Sequence, residues 1–333
     1  MFGMIILGAM FSIVHSSDGG VDDFATTALI AAAQNQPQAT EMATFDFPAV
    51  IITNADCEPV SALSAYQKTI SYLNMKTLVG MSDSRVWTQF PWTWRLDSEA
   101  MNRLPILQGF DSDDSAFHCT GDQLLVNVLK ESSEVKIVAT GPLTTIADVF
   151  KAYPELVHNV SEMHWMGGSI DVPGNILDSP EIPKELLNDK AEWNVFCDPA
   201  AAAWVFLNTS FPIYLYPLDI SDSTIPSQFI EVLSKKEGTV YSQYVIECYK
   251  LVEHVDGYRM WDVVAAAGIL FPEVLAPAVK EKLRVEVGVK DPGALVKDVQ
   301  GREIFVYKAF KSGDPSQFYE TVADILTGQY SAQ

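Results

Sequence analysis

Apolar and polar positions along this chain fall into blocks of two kinds. Short apolar or β-branched runs at 13–14, 49–53, 135–139, 162–166 and 211–215 read as buried strands. Stretches with helical spacing separate them: 24–33, 60–73, 121–130, a segment reaching about Lys151, and 200–206 behind the start signal Asp198-Pro199. This exchange of strand and helix predicts an α/β fold, an open, mostly parallel, Rossmann-like sheet with helices on both faces. Residues 228–255 read as one further helix, with Lys235 and Lys236 on a solvated face. Residues 283–289 and 304–306 read as an antiparallel hairpin or edge, and 315–327 as a closing helix. The proline-bearing stretch 171–190 is expected to be a long loop, a type usually functional or mobile.

The polar clusters stand just after the strands. Asp18, Asn54, Thr140 and Gly167-Gly168 all hold such positions. Ligands of open α/β sheets bind outside the carboxyl ends of the strands, so these residues are expected to share one site. The densest cluster is Ser17-Asp18-Gly19-Gly20-Val21-Asp22-Asp23-Phe24. Its glycines let the chain turn sharply from strand to helix. One aspartate there would satisfy a helix N-terminus through the macrodipole. Three in this order point further, to a hard cation such as Ca²⁺ or Mg²⁺ or to a sugar.

Composition narrows the partners. Acidic residues outnumber basic ones by 43 to 22 in 333 residues, for a net charge of -21. That surplus disfavours nucleic acid and anionic membranes and suits a neutral or cationic small molecule. An apolar fraction of 48% supports a sizeable core. Cys57, Cys119, Cys197 and Cys248 are scattered without a CxxC pair, so buried free thiols are expected and a zinc site has no support. The apolar run 2–14 lacks a preceding Lys or Arg and is too short to span a membrane. Its end is read as the first buried strand, because cleavage after Ser16 or Ser17 would remove the strand that positions the acids. Residues 1–12 are then an extension or a poor signal and 13–333 one domain. A cytoplasmic location is expected, with secretion as the alternative.

Further clusters follow in order: Thr140-Gly141-Pro142, Met166-Gly167-Gly168, Asn175, Glu192-Trp193-Asn194 and Trp261-Asp262. With the opening motif they resemble the nucleoside hydrolase family, the inosine–uridine-preferring ribohydrolases, from about Val14 onward. The family signature Asp-x-Asp-x-x-x-Asp-Asp corresponds here to Ser16 through Asp23. The Phe-Pro-x-x-Trp pattern ending at Trp94, and Trp261 before Asp262, are closest to the purine-specific inosine–adenosine–guanosine branch.

The resemblance implies the nucleoside hydrolase fold and a Ca²⁺ ion held by Asp18, Asp23, the carbonyl of Thr140 and Asp262. It makes Asp18 the general base toward water. Asp22, Asn175, Glu192, Asn194 and Asp262 would bind the ribose hydroxyls, with Met166 beneath the sugar. Trp94 and Trp261 would sandwich the base, with Asn54 near it and Tyr258 as a lid residue. The implied activity is hydrolysis of purine ribonucleosides to ribose and free base in salvage, by a homo-oligomer, a dimer being favoured. Three positions depart from the pattern: Ser16 replaces the first aspartate, Gly20 an asparagine that contacts substrate, and Asn54 an aspartate. They leave open a broad or pyrimidine-active hydrolase, or a non-catalytic nucleoside- or calcium-binding homologue. A haloacid dehalogenase type phosphatase would need an aspartate two residues after Asp18, where Gly20 stands. His254, beside Glu253, is read as a solvated loop histidine, with a general acid as its alternative.

Overall fold

The computed structural model describes residues 11–36, 44–110, 119–177 and 179–330. The first half of the chain runs β1 (Phe11–Ser17), α1 (Val21–Gln34), β2 (Phe45–Ile52), α2 (Pro59–Tyr72), β3 (Leu78–Met81), α3 (Trp92–Arg95), α4 (Asp97–Asn102), α5 (Gly121–Glu131), β4 (Val135–Ala139) and α6 (Thr144–Ala152). Next come β5 (Val160–Met166), α7 (Trp193–Cys197), α8 (Pro199–Asn208), β6 (Ile213–Tyr216), α9 (Leu218–Ser221), α10 (Pro226–Leu233), α11 (Val240–Leu251) and α12 (Trp261–Leu270). The last elements are β7 (Val279–Val285), β8 (Leu295–Lys297), β9 (Arg302–Val306) and α13 (Ser316–Thr327).

The strands form one sheet in the order β3-β2-β1-β4-β5-β6-β9-β7-β8. From β3 through β9 the neighbours are parallel, and β7 is antiparallel to both β9 and β8. The expected parallel sheet with an antiparallel edge is therefore present. Chain order reverses at β1, which has β2 on one side and β4 on the other. That reversal opens a crevice at the carboxyl ends of β1 and β4. Two apolar cores cover the two faces. Phe24, Leu29, Val263 and Val264 belong to one, and Leu125, Ile137, Ile146 and Phe150 to the other. β1 is covered on both faces, which explains why its sequence reads as a run without simple alternation.

Several expectations shift. β1 begins at Phe11, so Phe11 and Ser12 belong to the sheet, paired with Phe45 and Asp46; the rest of the expected N-terminal extension lies outside the described residues. The single helix expected over 228–255 is two. α10 stops at Leu233, and Thr239 starts α11 with a capping box toward Ser242. Its hydroxyl accepts from the Ser242 N–H, a local competition that apolar periodicity does not register. Lys236 is not simply solvated: its ammonium lies 2.9 Å from both Glu320 and Asp324. All four cysteines are free, but Cys119 is only half-buried. Among the described residues, no helix is long and apolar enough to cross a membrane.

Candidate active site

The chain leaves β1 at Ser17 and turns at Asp18-Gly19-Gly20 into α1. Gly19 has φ +93°, and a Cβ there would stand 2.6 Å from the Cβ of Cys57. Only glycine tolerates that turn. Across the crevice, a Cβ on Gly141 would stand 2.6 Å from the Asp18 Cβ. The loop after β4 can therefore press its backbone against the acid. Asp22 and Asp23 lie in the first turn of α1 and Asp262 in the first turn of α12, where the helix dipoles favour anions.

These acids line one cavity of about 490 Å³. Asp18, Asp22, Asp23, Thr140, Met166, Asn175, Glu192, Asn194 and Asp262 contribute to its wall, as do Trp94, Trp261 and Tyr258. Thus the opening motif and the motif near residue 262 meet. Asn54 does not reach the cavity. Its Oδ1 accepts from Gln89 Nε2 at 2.9 Å and from Arg95 Nη2 at 3.4 Å. Asp56, two residues on, lines the wall instead, with Asp97, Asp222 and His254. The rule that polar residues follow strand ends marked the segment 54–56. What it lacked was knowledge of Gln89 and Arg95, which claim the asparagine.

Each acid is held in its own way. Asp23 Oδ2 accepts from the Gly20 N–H at 2.8 Å and its Oδ1 from the Thr140 hydroxyl at 2.5 Å. Asp22 Oδ1 accepts from the Tyr258 hydroxyl at 2.9 Å and Oδ2 from the Asp262 N–H at 3.1 Å. Glu192 caps α7: its Oε1 accepts from the Asn194 N–H at 2.9 Å and its Oε2 from the Gly168 N–H at 2.7 Å. Asn194 Nδ2 donates to the Thr140 carbonyl at 3.1 Å and to the Met166 carbonyl at 3.2 Å, leaving its buried Oδ1 without a partner. Asn175 Oδ1 accepts from the Trp193 N–H at 3.2 Å. The indole of Trp94 meets Trp193 edge-on, and Trp261 meets Tyr258 edge-on.

Among the described residues no Lys or Arg lines this cavity. Burial, then the charges of Asp23 and Asp56, push the Asp18 carboxyl well above its usual range. Burial and the charge of Asp23 raise Asp22 to about 7. Burial followed by the charges of Asp22, Asp23 and Asp18 also raises Asp262. Burial raises Glu192 to about 7 against three N–H donors. Asp23 is the exception: burial opposes its ionisation, but His15, Asp18 and Thr140 outweigh it and leave the pKa lowered.

The donor chemistry fits a hard divalent cation. Asp18 Oδ2 is buried and unpartnered, and like-charged oxygens from two helix starts surround the same space. Among the described residues, no three His, Cys, Asp or Glu side chains already converge as a closed ligand set. Asp23 spends both oxygens on Gly20 and Thr140, so its contribution would add to bonds it already makes.

Comparison with known proteins places this geometry. The family model described as inosine-uridine preferring nucleoside hydrolase matches residues 13–320. The pyrimidine-specific ribonucleoside hydrolase RihA of Klebsiella pneumoniae is 35% identical over 210 residues, 60% of each chain. The chain spans less than two thirds of the length of the curated relatives it matches. An inosine-uridine preferring nucleoside hydrolase from Bacillus anthracis superposes with a TM-score of 0.79 at 24% identity, covering 96% of this chain and 99% of that one. A purine-preferring ribonucleoside hydrolase from Gardnerella vaginalis gives 0.72 at 19% identity, covering 96% and 99%. These two structures share the fold with this protein.

Proposed function

From a chain that belongs to the inosine-uridine preferring nucleoside hydrolase family, we infer hydrolysis of the N-glycosidic bond of purine ribonucleosides, with Ca²⁺ as the bound metal. The observation that carries this reading is the meeting of Asp18, Asp22, Asp23 and Asp262 in one cavity that also presents Trp94 and Trp261. Asp18, Asp23, the Thr140 carbonyl and Asp262 would hold the cation. When bound, Ca²⁺ supplies a Lewis acid that orients a ribose diol and makes an attacking water more acidic.

Asp18 is the general base. It takes a proton from water as the water oxygen bonds to C1′ and the C1′–N bond breaks. The nucleobase leaves with the bonding electrons and takes up a proton from solvent, balanced by the proton that Asp18 later returns to solvent. The ribose becomes oxocarbenium-like, and the carboxylates of Asp22 and Glu192 stabilise its positive charge from positions set before reaction. Asn194 Oδ1 has no partner and is free to accept from a ribose hydroxyl. Asp22 Oδ1 already accepts from Tyr258, so a sugar hydroxyl would share this oxygen with the tyrosine or take its place. Stacking on Trp94 and Trp261 favours a cationic, protonated purine by about 0.5–2 kcal/mol per face. That share is small beside the barrier, so the acids must supply most of the catalysis.

A second reading, a broad or pyrimidine-active hydrolase, draws support from the 35% identity to the pyrimidine-specific RihA and from Asn54 standing where the purine-specific pattern has an aspartate. Steady-state rates on inosine, guanosine, adenosine, uridine and cytidine separate the two. Inosine or guanosine is expected to be fastest. A higher kcat/KM for uridine than for every purine would favour the second reading. No ribose release from any of the five would sink both.

A further inference from the structure

His15 sits mid-strand in β1, paired with Val50 of β2 and Val138 of β4, and is 0% exposed. A central strand covered on both faces calls for an apolar residue at that place. An imidazole there costs desolvation unless its nitrogens find partners. Both do. Nδ1 lies 2.8 Å from the Thr27 hydroxyl on α1, and Nε2 lies 2.8 Å from the Thr140 hydroxyl in the loop after β4. Nε2 is also 3.5 Å from Asp23 Oδ1.

Counting protons gives this network a direction. The Thr140 hydroxyl has one proton and stands 2.5 Å from Asp23 Oδ1, against 3.2 Å from the Ser16 carbonyl. A carboxylate oxygen accepts, so that proton points to Asp23. The Thr140 oxygen must then accept from His15, and Nε2 is the donor. The order is imidazole N–H to Thr140 hydroxyl, then hydroxyl to Asp23. The far oxygen of Asp23 is pinned by Gly20, and the Thr140 carbonyl is pinned from the other side by Asn194. Two groups proposed as cation donors thus take their orientation from one imidazole that does not line the cavity.

We propose that His15 is a positioning residue for the cation site: through the Thr140 hydroxyl it presets the Asp23 carboxylate and the Thr140 carbonyl. This rests on the cation-dependent reading above. A partner held behind a metal ligand is typically worth 10- to 100-fold in metal affinity. A merely structural histidine would affect folding and leave affinity alone.

The test is Ca²⁺ titration of the metal-free full chain by calorimetry, with circular dichroism and melting as folding controls. His15→Gln and His15→Asn form the informative pair. The Gln amide nitrogen can reach the position of Nε2 and keep the bond to Thr140. Asn is too short and mimics only Nδ1. Asn should weaken Ca²⁺ binding roughly 10- to 100-fold and Gln by no more than about threefold. At saturating Ca²⁺ the kcat of His15→Asn should return to within a few-fold of wild type. If His15→Asn does not fold, Thr140→Val breaks the same relay while keeping β1 and the carbonyl, and should show the same loss. Wild-type Ca²⁺ affinity in a folded His15→Asn, or in Thr140→Val, overturns the assignment while leaving the cation reading intact. A wild-type chain that takes up no Ca²⁺ overturns both.

Discussion

The body of the sheet and its carboxyl end hold acids in opposite circumstances. In the sheet body, Glu162 of β5 has the Lys136 ammonium at 2.7 Å and His164 Nε2 at 3.3 Å. Burial works against its ionisation, but hydrogen bonds and charge from His164 and Lys136 prevail and bring its pKa down to about 2. Past the carboxyl ends of the strands, Asp18, Asp22, Asp262 and Glu192 are buried with no Lys or Arg among the described residues of their cavity, and all four are pushed upward. One region satisfies its charge internally. The other leaves its acids without an internal cation, which makes their ionisation costly and suits the external cation and developing oxocarbenium proposed above. Asp23 is the intermediate case, lining the cavity yet held by His15 and Thr140.

The largest expected effect tests the unpaired end. Asp18→Ala should lower kcat on a purine nucleoside by at least about 100-fold, the usual worth of a general base. The same change relieves repulsion, so the melting temperature of the metal-free protein should hold or rise. A variant with near wild-type kcat removes Asp18 from the base role.

Withdrawing the proposed cation comes next. A chelator should abolish turnover, and restoring Ca²⁺ to 100 times its dissociation constant should stabilise the fold by about 2.7 kcal/mol. Unchanged melting with and without Ca²⁺ would erase the distinction between the two regions.

Glu162→Gln probes the paired region. It strips a charge from a satisfied cluster and should cost about 1–3 kcal/mol in urea unfolding, with kcat unchanged. A loss of kcat without a loss of stability would break the comparison.

Acid titration of the chelated protein separates the two regions in one experiment. The folded-state values of Asp97, Asp22 and Glu192, about 6, 7 and 7, lie above their ordinary 3.8, 3.8 and 4.5. Burial is the main cause in each. A carboxyl that binds its proton more tightly when folded stabilises the fold as pH drops, so melting temperature should rise from about pH 7.5 to about pH 5. Glu162 has the opposite sign: its stabilisation is complete above its ordinary 4.5 and is lost as pH falls from there toward 2. A steady decline from neutral pH downward would contradict the raised values.

The smallest effect concerns the base. Trp94→Ala should lower kcat/KM for inosine by about 2- to 30-fold and for uridine by less, since a single indole face contributes about 0.5–2 kcal/mol. Equal losses on both would remove the purine argument.

Much of this was legible in the chain before folding. The strand 135–139 has the same bounds in the structure; the acids at 18, 22 and 23 were marked by the turn from strand to helix, and Asp262 by the family resemblance. The break between α10 and α11 was not legible, because a capping box outweighs apolar periodicity there. Neither was the presence of Asp56 in the cavity wall, nor the hydrogen-bond network of His15, which looks like a stray polar residue in an apolar run.

Local pattern determined the elements, because burial of a strand face or helix stripe depends on spacing alone. It also determined where the acids sit, since glycines and strand ends are local features. Which partner each polar side chain finds is decided by residues distant in sequence: Asn54 meets Gln89 and Arg95, 35 and 41 positions on, and His15 meets Thr140, 125 positions on. A hydrogen bond is directional and short, so such choices exist only once the sheet has brought its distant strands side by side.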